Sequence, residues 1–220
     1  MYKILNNLQV YKNNTALMTE NNSITYNDLI KNTDKIKKKI KSNTISLMIA
    51  QNNLNFITSY IAFLRKKKII NILLDDTFGE EFIKKILKIY KPNYILCPKK
   101  YSNLFKKKKL ICDFGDYLIY QTSLKIQQGL NYKNYLLLST SGTTQSPKFV
   151  RLSALNLENN VRKIKEYLKI KSEHTTITTM PLGYSYGLSV LNTHLTAGAK
   201  IFVNSRNILE KRFWDLIKNK

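Results

Sequence analysis

Cysteine, tryptophan, proline, glycine and acidic side chains are all scarce in this 220-residue sequence, and each shortage excludes something. Its two cysteines, Cys97 and Cys112, are too few for a disulfide framework, and they sit at no zinc-binding spacing. The two histidines, His174 and His194, have no acidic or thiol partner at ligand spacing, so no metal site is expected. No apolar run approaches the roughly 18 residues of a spanning helix, and the start, "MYKILNNLQV", lacks the apolar core and cleavage site of a signal peptide. These absences point to a soluble, unprocessed, cytoplasmic protein. In such a compartment the Asn-x-Ser/Thr triplets at Asn13 and Asn21 carry no meaning. With only 7 glycines and 4 prolines, each one present has a placement to explain.

Acidic residues number 14 against 37 Lys and Arg, a formal charge of +23 that suggests a polyanion as partner. Two features oppose that reading. The excess is mostly Lys and accompanies surplus Asn, Ile and Tyr, all encodable by A and T alone. Moreover, the runs Lys35–Lys41, Arg65–Lys68 and Lys106–Lys109 fall at helix exteriors or ends, without the regular aromatics of a nucleic-acid surface.

A hydrophobic content of 43% suffices for a proper core. After a short N-terminal hairpin, Thr25 stands three residues before Asp28 as in a capping box, and Leu29, Ile36 and Ile40 share a face of the helix that follows. Apolar runs at Thr44–Ala50, Ile69–Leu74, Asn93–Cys97 and Lys109–Asp113 read as strands, interleaved with helices carrying Leu54, Ile57, Ile61 and Leu64, then spanning Gly79–Tyr90. Tyr135–Ser139 reads as a further strand. Leu157, Val161, Ile164 and Leu168 mark a helix with Ser153 as N-cap. A strand over 175–180, a helix Ser185–Leu195, a strand over 199–203 and a helix Asn207–Lys218 complete the chain. The alternation predicts an α/β fold, a mostly parallel sheet with helices on both faces, and a subdomain seam around 98–132.

The chemistry concentrates in "LLLSTSGTTQSPKFVRLS", residues 136–153, where a strand runs into a cluster of hydroxyls with one glycine and one lysine. Amides and hydroxyls can donate to phosphate oxygens while Lys148 supplies a compact charge. The pattern is not Walker A, because Pro147-Lys148-Phe149 stands where Gly-Lys-Ser/Thr would be. Composition alone leaves a polar strand-to-helix turn equally open.

The stretch resembles the signature of the adenylate-forming superfamily, which includes acyl-CoA synthetases, peptide-synthetase adenylation domains and luciferases. A strand there leads into Ser/Thr-Ser-Gly-Ser/Thr-Thr-Gly-x-Pro-Lys, matched by Thr140, Ser141, Gly142, Thr143, Thr144, Pro147 and Lys148. "ALMTENNSITYNDL" (residues 16–29) is similar to the family's N-terminal segment, and "PLGYSYGLSVLNTHLTAGAKIFV" (181–203) to its Pro-Leu-x-His/aromatic-x-x-Gly-Leu segment. The resemblance implies the first part of the family's large N-terminal domain. It implies ATP- and Mg²⁺-dependent activation of a carboxylic acid to an acyl-adenylate, then transfer to CoA or a carrier-protein thiol. Thr140, Ser141, Gly142, Thr143, Thr144 and Lys148 would cradle the β and γ phosphates, and Tyr184 would pack near the acid.

Two departures stand out. Gln145 replaces the family's usual glycine; a need for positive φ there would cost about 1–2 kcal/mol. In addition, the chain stops near Trp214 without the Thr-Glu segment, the ribose-binding Asp, or the mobile C-terminal domain with its adenylating Lys, so no catalytic residue is assigned. The expectation is a truncated, split or decaying ligase of little stand-alone activity. The alternatives are a polyanion-binding protein that retains the fold and a subunit completed by a separately encoded partner.

Overall fold

The computed structural model describes residues 5–122, 130–132, 135–139, 148–204 and 209–218. Two sheets carry the architecture. The elements are β1 (Thr15–Met18), β2 (Ser23–Thr25), α1 (Tyr26–Lys39), β3 (Thr44–Ala50), α2 (Leu54–Arg65), β4 (Ile69–Asp75), α3 (Glu80–Tyr90), β5 (Tyr94–Pro98), β6 (Lys109–Asp113) and β7 (Tyr117–Gln121). Then follow β8 (Leu136–Ser139), β9 (Phe149–Leu152), α4 (Ala154–Tyr167), β10 (Thr175–Ile177), α5 (Ser185–Ala197), β11 (Lys200–Phe202) and α6 (Lys211–Lys218).

Strands β3 and β4 are buried along their whole length, which is why their sequences read as unbroken apolar runs. They pair in parallel from Thr44–Ile69 to Ala50–Asp75, with β5 parallel to β3 on one side and β8 parallel to β4 on the other. Antiparallel strands finish both edges, giving the order β6-β7-β5-β3-β4-β8-β9. A polar thread crosses the centre: the Ser46 hydroxyl donates to Asn71 Oδ1 at 2.8 Å, and Asn71 Nδ2 donates to the Tyr135 carbonyl at 3.1 Å. Paired in this way, buried polar groups favour one strand register, since a slip would orphan them.

The second sheet has the order β10-β11-β1-β2, with β11 parallel to both β10 and β1. One apolar core joins α1, α2, α4 and α5 to both sheets, and a second lies on the opposite face of the large sheet, under α3 and the 3-10 turn Lys99–Phe105. The predicted α/β architecture, with helices on both faces of a largely parallel sheet, is the observed one. Helix α2 shows why its sequence is apolar on every side: all residues from Phe56 to Leu64 are buried.

Local signals place the helix ends. The Thr25 hydroxyl donates to Asp28 Oδ2 at 2.7 Å and accepts from the Asp28 amide at 3.1 Å, starting α1 where the sequence indicated. Ser153 and Asn156 form a reciprocal capping box at α4. The lysine runs fall at the ends of helical segments: Lys37, Lys38 and Lys39 occupy the last turn of α1, where a cation complements the helix dipole.

Two strands escaped the periodicity reading. Tyr117–Gln121 forms β7 inside the stretch around 98–132, and Phe149–Leu152 forms β9, antiparallel to β8. Residues 140–148 therefore join two strands of a hairpin rather than a strand to a helix. Phe149 pairs with Ser139, and the partners of β9 are what its short sequence could not announce. Of the helix expected from Asn207, the described part begins at Lys211.

Removing the α1 cap tests this local account. Thr25→Ala is expected to lower the unfolding free energy by about 1 kcal/mol, read from denaturant melts, while Thr25→Ser stays within a few tenths of wild type.

Candidate functional site

In sheets of parallel strands, ligands bind beyond the carboxyl ends, and here that edge is formed by Ala50, Asp75 and Ser139 at the ends of β3, β4 and β8. Two motif segments meet beside it. The hairpin β8–β9 brings Lys148, immediately before β9, next to the strand pair Ser139–Phe149. The segment Met180–Tyr184 lies over the end of β4, where a Cβ on Gly183 would stand 2.5 Å from the Asp75 Cα. Only glycine permits that approach. Gly187 is similarly constrained, because a Cβ there would stand 2.4 Å from the Pro181 carbonyl oxygen.

Asn52 holds the same segment from the side of β3. Its Oδ1 accepts from the Leu182 amide at 3.1 Å, and its Nδ2 donates to the Met180 carbonyl at 3.3 Å. Tyr184 is the N-cap residue of α5 and is half-buried, and its phenol has no hydrogen-bond partner among the described residues. Ser139 Oγ is likewise buried without a partner among them, a donor at the root of the hairpin loop. Thr140, Ser141, Gly142, Thr143 and Thr144 lie outside the described residues, as does Gln145.

A cavity of about 470 Å³ lies between the hairpin, α4 and α5, with Leu138 of β8, Leu157 of α4, and Ser185 and Leu188 of α5 among its walls; no residue of Met180–Tyr184 lines it. Asn192, at its base, exchanges hydrogen bonds with the buried Tyr60 at 3.1 and 3.3 Å, and burial raises the Tyr60 phenol pKa. Asn52, Asn192 and the Gly183 contact had no sequence signal of their own: asparagine is abundant throughout the chain, and each acts through a distant partner. The third motif segment, residues 16–29, belongs to β1, β2 and α1; it builds the second sheet instead of lining this cavity.

At the β4 end, Asp76 Oδ2 accepts from Gln51 at 2.6 Å and pairs with Lys100 at 2.7 Å. Burial and the nearby Asp76 charge push the Tyr101 phenol up to about 12. Burial also pushes the Cys97 thiol up to about 12, which makes it a core residue and not a nucleophile. Among the described residues no three His, Cys, Asp or Glu gather to hold a metal ion. No described helix is long and apolar enough to cross a membrane.

Two measurements probe this arrangement. Gly183→Ala is expected to cost about 1–3 kcal/mol, because the methyl meets Asp75 backbone. Gly79→Ala, with nothing within 4 Å of the added methyl, is expected to cost only about 0.5–1 kcal/mol, the loss of glycine's preference over alanine at the N-cap of α3. Burial lowers the His194 pKa below its ordinary 6.5 even though the Val190 carbonyl opposes the shift. A base with a lowered folded pKa contributes full stability above the unfolded value and loses it as pH falls through the folded one. Stability is thus expected to decline below about pH 6.5, and His194→Gln should reduce that decline in melts taken across pH 5–8.

Comparison with known proteins follows the same lines. Over a 67-residue stretch the chain is 42% identical to the oxalate–CoA ligase of Arabidopsis thaliana, covering 30% of this chain and 13% of that protein. A probable CoA ligase of Humulus lupulus is 39% identical over a stretch of equal length. Among solved structures, apo MatB from Rhodopseudomonas palustris superposes with a TM-score of 0.77 at 15% identity, covering 99% of this chain and 48% of that one. O-succinylbenzoate coenzyme A synthetase from Bacillus subtilis, solved with ATP and a magnesium ion, superposes with a TM-score of 0.75 at 14% identity, covering 99% of this chain and 61% of that one. The chain therefore spans about half the length of MatB. The family model for AMP-binding enzymes matches residues 5–220, and the chain belongs to that family.

Proposed function

We propose that this chain is the phosphate-handling half of an ATP-dependent acid ligase, activating a carboxylic acid to an acyl-adenylate ahead of transfer to a thiol such as CoA or a carrier protein. The observation that carries the reading is the meeting of the hairpin β8–β9 and the segment Met180–Tyr184 at one carboxyl edge of the sheet. When bound, ATP with Mg²⁺ supplies an anhydride whose α-phosphorus the carboxylate attacks, releasing pyrophosphate.

Each residue has a stated part. Lys148 places its ammonium against the β and γ phosphates, and the hydroxyls of Ser139, Thr140, Ser141, Thr143 and Thr144 donate to their oxygens. Gly142 lets the backbone approach them without a side chain between. Tyr184, at the start of α5, forms a wall beside the acid. Catalysis of this kind is positioning and charge stabilisation more than covalent chemistry, so a preformed cradle is a large share of the task.

A second reading concerns completeness. Because the chain spans 48% of MatB, the remainder of an adenylating site can come from a separately encoded polypeptide. Under either reading the 220-residue protein binds ATP and exchanges little pyrophosphate on its own. Lys148→Ala is expected to weaken binding of a fluorescent ATP analogue about tenfold, the loss of one charge-assisted contact. Wild-type protein that fails to bind ATP would sink the ligase reading. Robust ATP/pyrophosphate exchange by the protein alone would sink the claim that it is half a site.

A further inference from the structure

Lysine runs that are far apart in the chain converge on the amino edge of the large sheet, opposite the edge that carries Ser139. Residues 37–41 end α1, residues 65–68 lead from α2 into β4, and residues 106–109 lead into β6. Contacts tie these ends together. Lys66 Nζ donates to the Lys37 carbonyl at 3.3 Å and Lys39 Nζ to the Ile111 carbonyl at 3.1 Å. The Lys68 carbonyl accepts from the Asn43 and Thr44 amides at 2.8 and 3.3 Å, just before β3. The Lys41 amide donates to the hydroxyl of Tyr94, the first residue of β5, at 3.0 Å. Strand register levels the edge, because Lys109 pairs with Gln121, Gln121 with Tyr94, and Tyr94 with Ser46. From Lys68 to Lys109 it crosses four strand spacings, about 19 Å.

Carboxylates gather at the other edge. Asp75, Asp76, Asp113 and Asp116 stand there, with Glu80 and Glu81 in the first turn of α3, together six of the chain's 14 acidic residues. Among the described residues, Asp34 is the one carboxylate paired with a cation of the three runs, holding Lys37 and Arg65. Lys38, Lys41, Lys67 and Lys107 are all exposed. Coding bias can raise the number of lysines, but it cannot sort lysines to one edge of a sheet and carboxylates to the other. The helix dipole accounts for Lys37, Lys38 and Lys39 in the last turn of α1, but not for Lys109 inside β6.

The exposed cations of this edge are lysines, point charges that neutralise phosphate without arginine's planar fork. Bare aliphatic side chains border them: Ile89 is 52% exposed and Leu110 47%. No exposed aromatic ring lies within 37–41, 65–68, 88–91 or 106–110 for bases to stack on. We propose that the amino edge of the large sheet docks on an anionic phospholipid surface, its lysines against the headgroups and Leu110 and Ile89 beside them. Each lysine within a Debye length of such a surface strengthens binding about fivefold. Docked in this way, the opposite edge, with Ser139 and the β8–β9 hairpin, faces solution. The proposal does not depend on the ligase reading.

The test is co-sedimentation of the 220-residue protein with phosphatidylcholine vesicles, with and without about 30% phosphatidylserine, at about 0.1 M salt. The anionic vesicles are expected to bind at least about tenfold more tightly, and raising the salt to about 0.5 M should remove most of that advantage. Lys41→Gln, Lys67→Gln and Lys107→Gln together take one charge from each run and are expected to weaken binding at least about tenfold. Lys12→Gln, Lys163→Gln and Lys169→Gln change the net charge equally, away from this edge, and are expected to stay within about threefold of wild type. Thermal melts check that each variant folds; Lys38→Gln, Lys68→Gln and Lys108→Gln replace the first set if it does not. No preference for anionic vesicles, or equal losses in the edge set and the matched set, would overturn the proposal. So would a fluorescent oligonucleotide bound more tightly than the vesicles through the same lysines, since the partner would then be nucleic acid.

Discussion

The site depends on one contact, the close approach of Gly183 to Asp75, which sets the start of α5 against the carboxyl end of β4. Nothing larger than hydrogen fits there. Asn52 then fixes the same segment with two hydrogen bonds from the loop after β3. Because α5 leads directly into β11, this contact also links the large sheet to the second one, which is built on β11 and β1. Tyr26 supports the junction from α1, its hydroxyl donating to the Ala199 carbonyl at 2.7 Å.

The second constraint is the hairpin. A loop between two paired strands has its ends held side by side, so residues 140–148 begin and end at the same place on the sheet edge. Ser139 and Lys148 are brought together by the pairing of β8 with β9. Placing a lysine at the far end of a hydroxyl-rich loop is thus a matter of register: a one-residue slip of β9 would turn Lys148 to the other face. That arrangement suits a phosphate cradle, where donors must converge without mutual repulsion before the ligand arrives.

Much of this was legible in the amino-acid order. The capping pairs Thr25–Asp28 and Ser153–Asn156 lie three residues apart, within reach of one helical turn, and Thr25 and Ser153 appeared where α1 and α4 begin. The buried strands β3 and β4 announced themselves as apolar runs because both their faces are covered. Strands β7 and β9 did not, since four or five residues of mixed character become a strand only through a partner. The motif segment containing Tyr184 was legible as a segment, but its tie to Asn52 was not, because it joins residues more than a hundred positions apart.

By itself the sequence determined the alternation of helices and strands, the caps, and the spacing of hydroxyls, glycine and lysine that identifies the family. Those are local properties, set by neighbours within a turn or a strand. Tertiary structure decided which ends of which strands meet, that Gly183 lies on Asp75, that the loop after Ser139 closes a hairpin, and that α4 and α5 leave a cavity beside it. Each of these is a contact between residues distant in the chain, fixed by packing and strand register, for which local patterning carries no signal.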